Sequence, residues 1–195
     1  CSSDLVNADE VLYFAGDARK LLLVDHTEGL AHGEFVEYQV QVTDGSIPLE
    51  VSLAWTDFPG SPAAAIQLVN DLNLTVSNGA LVYKGSVFSG GNSVTGGSYD
   101  ALNVEENVRV AVPAPGLWTV RVEAPSVPMG PQPFALCVTG GVGNGAAALA
   151  LDRATYGSSS TVEIQVIDAD AVPPVQVTMT SPTEGAETVT LQWAA

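Results

Sequence analysis

Apolar and polar residues alternate with a period of two through much of the first 140 residues, the pattern of β-strands with one buried face. In EFVEYQVQV, Val36, Tyr38, Val40 and Val42 fall on one side and Glu37, Gln39 and Gln41 on the other. In the stretch from Pro48, Leu49, Val51, Leu53 and Trp55 alternate with Glu50, Ser52, Ala54 and Thr56. RKLLLVDH sets Leu21 and Leu23 against Leu22 and Val24, which predicts a strand buried on both faces. Further on, Val108, Val110 and Val112 share a face, as do Trp118, Val120 and Val122. PFALCVTG closes the series with Phe134, Leu136 and Val138 opposite Cys137. Ser77-Asn78-Gly79 marks a tight hairpin turn between two of these runs. The total is about eight strands, enough for a two-sheet sandwich or jelly roll.

Two places break the pattern. Leu68, Leu72, Leu74 and Val76 share a face that Asn70 interrupts, while Asp71, Asn73 and Thr75 share the other. Polar residues inside an otherwise apolar strand mark sites of function or special structure. The preceding loop carries Asp57, Pro59, Gly60, Ser61 and Pro62, then an Ala63–Ala65 run that predicts a helical turn. The second break is SVFSGGNSVTGGSY, Ser86–Tyr99, read as a Gly/Ser loop with little core content and no carboxylate. Loops of that length in a compact domain are usually functional or mobile.

The chain divides at GGVGNG, Gly140–Gly145, into a barrel over residues 16–140, a linker at 141–146 and a second β module at 147–195. Residues 1–15 form a separate opening segment. Within it SDLVNADEVLYF predicts a short helix, with Asn7 as N-cap and Asp9 and Glu10 in the first turn. After the linker, ALALD, TVEIQVID, VQVTMT and ETVTLQWA read as four strands. They resemble the first half of an immunoglobulin-like module, which needs about seven strands and on the order of 100 residues when whole. The fold class expected is therefore all-β: a jelly-roll or β-sandwich barrel with a second, smaller, partial immunoglobulin-like β domain. The chain is read as part of a longer one.

Charge narrows the partners. There are 22 acidic against 6 basic residues, a net charge of −16. No basic stripe exists to meet nucleic acid or an anionic membrane, so neither is expected as a partner. The acidity has two readings: solubility in a salty or extracellular setting, or divalent-cation binding through hard oxygen ligands. No apolar run is long enough for a helical membrane span. The opening CSSDLVNADEVLYF has acidic residues where a signal peptide carries basic ones, so a mature form or an excised region is expected. Two cysteines do not make a disulfide framework. A free Cys137 packed as a small hydrophobe is favoured over a Cys1–Cys137 bridge.

Candidate chemistry is sparse. His26 and His32 are the only histidines, each in a short turn-rich segment, and Asp25 and His26 point to opposite faces of their strand. A surface role is expected for both. No nucleophile elbow, phosphate loop or zinc spacing occurs. Asp71 and Asn73 project from one face of their strand, and Asp100, Asn103 and Glu106 follow the Gly/Ser loop. Together these five make a candidate calcium site, since calcium takes six to eight oxygens from carboxylates, amides and carbonyls. The competing reading has Asp71 and Asn73 satisfying backbone groups of a neighbouring loop. The sequon Asn73-Leu74-Thr75 lies in a strand and is discounted. Asp168 and Asp170 are read as a solvated turn beside Pro173 and Pro174.

Four segments also carry a resemblance. PLEVSLAWTDFPGSPAAAIQLVNDLNLTV from Pro48, NVEENV at Asn103–Val108, PAPGLWTVRVEA at Pro113–Ala124 and VPMGPQPFALCVTG at Val127–Gly140 stand in the order found in one family. They resemble the C-terminal jelly-roll barrel of secreted subtilisin-type alkaline serine proteases, over roughly residues 5–140. The resemblance implies a non-catalytic accessory domain of an extracellular serine endopeptidase. Its partner would be the catalytic domain of the same parent chain, and calcium would bind around the corresponding strand and loop. The family's Gly-Thr-Ser-Met-Ala nucleophile stretch is absent, so this chain is not expected to be an enzyme by itself. The chain departs from the family pattern at Ser2–Asp4, where a Trp-Gly is usual, and at Val104, where an Asn is usual. The alternative is a module presenting protein or polysaccharide substrate, such as collagen or carbohydrate, to the enzyme. Trp55, Trp118 and Trp193 all fall on inward positions, leaving no aromatic platform, which favours the accessory reading.

Overall fold

Alternation becomes layering once the strands pair. The computed structural model describes residues 16–79 and 81–143 throughout, and beyond them the backbone of four strands at 148–151, 164–167, 175–179 and 187–191. The first nine strands are β1 Lys20–Leu30, β2 Phe35–Val42, β3 Leu49–Ala54, β4 Asp71–Asn78, β5 Leu81–Ser89, β6 Asn92–Thr95, β7 Glu105–Val110, β8 Gly116–Ser126 and β9 Gln132–Gly140. They form two antiparallel sheets, ordered β1-β9-β3-β7 and β2-β8-β4-β5-β6. With the short β6 set aside, β1-β9-β3-β7 facing β2-β8-β4-β5 is the strand order of a jelly roll, two interlocked Greek keys. The described residues contain no helix. The expected all-β jelly-roll sandwich is the fold.

The core lies between the sheets. Tyr38, Val40, Leu74, Val76, Trp118, Val120 and Val122 enter from one side, Leu49, Val51, Leu53, Val108, Leu136 and Val138 from the other; all are at most 1% exposed. Each such side chain contributes roughly 1.5–3 kcal/mol through burial. The Trp118 indole N–H donates to the Ala114 carbonyl at 2.9 Å, so its polar edge is also satisfied.

Several expectations are corrected. β1 is buried on one face only: Leu22 and Val24 are in the core while Leu23 is 63% exposed. The smaller sheet has an open outer face, and β1 lies at its margin. Val112 is 80% exposed because β7 ends at Val110 and the chain turns. The Ala-rich run makes no helix but one isolated turn at Pro62–Ala63, closed by the Ala64 N–H donating to the Ser61 carbonyl. Ser86–Tyr99 is not a loop throughout. β5 continues to Ser89, and β6 returns from a turn in which Gly90 and Gly91 have φ of 59° and 79°. Glycine takes those angles without strain. Ser86 itself has φ of 60°, and the β5–β6 register shifts between Tyr83 and Phe88.

His26 is not a free surface histidine. Its ring stacks on Phe134 at 4.7 Å, and its Nδ1 lies 3.4 Å from the hydroxyl of the fully buried Tyr38. Desolvation holds that phenol well above its ordinary pKa. Cys137 is free and half-buried on the outer face. The opening segment of residues 1–15 with Asn7 and Cys1, together with Trp193, Asp168 and Asp170, lies outside the described residues.

The barrel reaches past Gly140. Val142 bridges to Val42 and is 4% exposed, the Gly141 carbonyl accepts from the Thr43 and Asp44 amides, and the Gly143 N–H donates to Gln41. Beyond it, β10 Ala148–Leu151 pairs with β11 Ile164–Ile167, and β12 Val175–Met179 with β13 Glu187–Leu191. The four expected strands are present as two antiparallel pairs, with β10 beside β2.

Candidate metal centre

The start of β4, the start of β7, the middle of β5 and the loop before β7 meet at one point. The alternation that places Val108 and Val110 inward also places Glu106 inward, opposite Leu53. Glu106 is fully buried. Its Oε2 accepts the Leu74 amide at 2.5 Å, and its carboxylate also takes the Asp100 amide. Its Oε1 has no partner. On β4 the pairing with β8 shifts register between Asp71 and Asn73, an irregularity of the kind that re-aims side chains. Asp71 Oδ1 and Asn73 Oδ1 are likewise buried without a hydrogen-bond donor.

Three buried oxygens with no donor are costly, on the order of 1–3 kcal/mol each. All three are acceptors, so each is satisfied only by a group supplying positive charge or hydrogens. The electrostatics agree. Burial first, then the charges of Asp100 and Asp71, push Glu106 from its ordinary value of 4.5 up to about 7. Burial and Asp100 raise Asp71 too. Asp100 is held below its ordinary value: partial burial opposes this, but the Asn103 side chain and the Leu102 and Asn103 amides outweigh it.

Of the five residues singled out by sequence, Asp71, Asn73 and Glu106 thus form the unsatisfied oxygen set, with Asp100 acting on both carboxylates. Asn103 stands behind Asp100: its side-chain amide donates to Asp100 Oδ2 at 2.7 Å and its N–H to Oδ1 at 3.2 Å. Among the described residues no three carboxylate, imidazole or thiolate side chains already converge at ligand spacing. The set consists of two carboxylates and an amide, with the third carboxylate engaged in its own turn. The residues fit a hard, oxygen-seeking cation of calcium type, with main-chain carbonyls or water completing the shell. Gly85 makes room for the carboxylate: a Cβ there would fall 2.1 Å from Glu106 Oε2.

The competing role, satisfying backbone groups of a loop, belongs to a residue the sequence did not single out. Asp57 Oδ1 accepts the Phe58 and Asn70 amides at 2.7 and 2.8 Å, and Oδ2 accepts Val69 at 2.7 Å. Asn70, the break in the apolar face, is the staple of the same end. Its side chain donates to the Met129 carbonyl and Gln132 Oε1, and accepts the Met129 amide. Its own carbonyl accepts the Trp55 indole N–H at 3.0 Å. Gln132 in turn donates to the Thr56 and Pro133 carbonyls. With Asn70 1% exposed, Asn70→Ala should strand Met129 and Gln132 and destabilise the barrel by about 2–4 kcal/mol, read from the urea midpoint.

No family model matches the chain, and no curated protein matches it significantly.

Proposed function

We propose that the barrel is a non-catalytic, calcium-stabilised accessory module of a secreted subtilisin-like serine protease. The observation that carries the calcium part is the set of three buried, donor-less oxygens on Asp71, Asn73 and Glu106. The protease part rests on the four ordered segments that resemble that family. Calcium would sit against Asp71, Asn73 and Glu106 and neutralise carboxylates that a buried site otherwise disfavours. The module's contribution is then cohesion: one ion joins β4 to β7 and the loop that leads into it, Leu74 and Glu106 being 32 residues apart.

Two measurements test the two parts separately. Calorimetric titration of the full chain should give calcium uptake that Asp71→Ala abolishes; uptake unchanged in that variant would sink the assignment of the site. The reading frame upstream of Cys1 should encode a subtilisin-type Ser-His-Asp domain, and a different domain there would overturn the protease reading. The chain alone should not label with a fluorophosphonate serine probe, since His26 is held against Phe134 and Tyr38 and Asp25 points to the opposite face. Stoichiometric labelling would contradict an accessory role.

A further inference from the structure

On the outer face of the smaller sheet, Asp25 of β1, Ala135 of β9 and Ala54 of β3 stand side by side in register. Two alanine methyls between larger neighbours leave a hollow of about 400 Å³, lined also by Thr56, Pro133 and the ring residues Trp55 and Phe134. Trp55 and Phe134 turn their rings to the core side, 6% and 3% exposed, so the strands that carry the hollow are held from beneath. Gln132 at the rim is fully committed: its amide nitrogen donates to Thr56 and Pro133, and its oxygen accepts from Asn70.

Asp25 is the one charged residue lining the hollow, and no lysine or arginine lines it. Among the described residues the Asp25 side chain has no hydrogen-bond or ion-pair partner. A chain of net charge −16 adds a negative field around it. An apolar depression with a single free carboxylate at its edge suits a cation on an aliphatic stem. Arginine fits better than lysine: its guanidinium is flat, weakly hydrated and pairs with carboxylates in a fork, while its stem covers apolar surface.

We propose that this hollow binds an arginine side chain of a peptide or protein partner, the stem lying over Ala54 and Ala135 and the guanidinium meeting Asp25. The inference stands apart from the metal centre and from the protease reading. Titrating the full chain at low salt with a capped Gly-Arg-Gly peptide should shift the amide resonances of Asp25, Ala54 and Ala135 saturably. Affinity is expected in the millimolar range, about tenfold above that of a capped Gly-Gln-Gly peptide. Asp25→Asn should lower it about tenfold, the exposed position leaving the fold intact. Ala135→Leu should fill the hollow and abolish binding; if that variant folds poorly, the Asp25→Asn comparison still decides. Equal binding of the glutamine peptide, an unaffected Asp25→Asn, or no saturable shift in the parent chain would each overturn the proposal.

Discussion

Millimolar calcium is expected to raise the melting temperature of the chain by several degrees, and Asp71→Ala to remove most of that rise. A ligand that binds only the folded state stabilises it by RT ln(1 + [L]/Kd), about 2.7 kcal/mol at a hundredfold excess over Kd. For a barrel of this size each kcal/mol is worth a few degrees. The source of the gain is specific. Asp71 Oδ1, Asn73 Oδ1 and Glu106 Oε1 pass from burial without a partner to burial against a cation. Asn103→Ala should blunt the response less, because Asn103 bonds Asp100 rather than belonging to the orphan set. Magnesium is the control for charge alone. It demands a tighter octahedral shell and sheds water reluctantly, so it should substitute poorly. A melting temperature that rises equally with calcium, magnesium and matched ionic strength would mean that only the −16 net charge is being screened.

The sandwich was legible because one-sided burial writes itself as alternation: Val36, Tyr38, Val40 and Val42, or Leu49, Val51, Leu53 and Trp55, are all core residues as the pattern predicts. The same rule carried a signal about the site. Glu106 lies in phase with Val108 and Val110, and a carboxylate on the core-facing side of a strand needs a counter-charge or a proton. What local pattern could not carry is pairing across distance. Asn70 looked like an interruption, and its purpose appears only where Met129 and Gln132 come back to it from 59 and 62 residues away. Asp57 looked like an ordinary turn residue, although it collects three amides. The β5–β6 hairpin was hidden by Gly/Ser composition. Its turn is made by Gly90 and Gly91, and its apolar residues are weakly buried, Phe88 and Val94 being 45% and 39% exposed. Leu23 and Val112 failed in the opposite sense: hydrophobicity alone does not say whether a second layer covers the face of Leu23, nor that β7 ends before Val112.

Without calcium, stability should fall as pH rises through neutrality, and Glu106→Gln should remove most of that fall. Glu106 has its folded pKa raised from 4.5 to about 7, so the folded state holds a proton that the unfolded state has released. The stabilising contribution is therefore whole below about 4.5 and lost by the time pH has passed about 7, the reverse of a salt-bridged carboxylate. A shift of this size corresponds to on the order of 3 kcal/mol. Asp71, also raised, acts in the same direction, whereas Asp100 and Asp44, both lowered, act oppositely and at lower pH. Carboxylates of ordinary pKa are ionised by about pH 5.5, so the slope between there and about pH 7.5 reports on the raised pair, Glu106 and Asp71, and Glu106→Gln separates the two. In Glu106→Gln the amide oxygen can still accept the Leu74 N–H, while the neutral amide removes the charge that Asp71 and Asp100 oppose. That variant should therefore be more stable than the parent at pH 8 and much flatter across the window, Asp71 accounting for any slope that remains. Saturating calcium should reverse the sign in the parent chain, because the cation requires the carboxylate ionised and competes with the proton for it. Urea midpoints at pH 5.5, 6.5 and 8, with calcium and with chelator, give all four profiles. A parent chain whose chelated midpoint does not move between pH 5.5 and 8 would show that Glu106 is ionised throughout. Its buried oxygen would then be satisfied by something other than a proton or a cation.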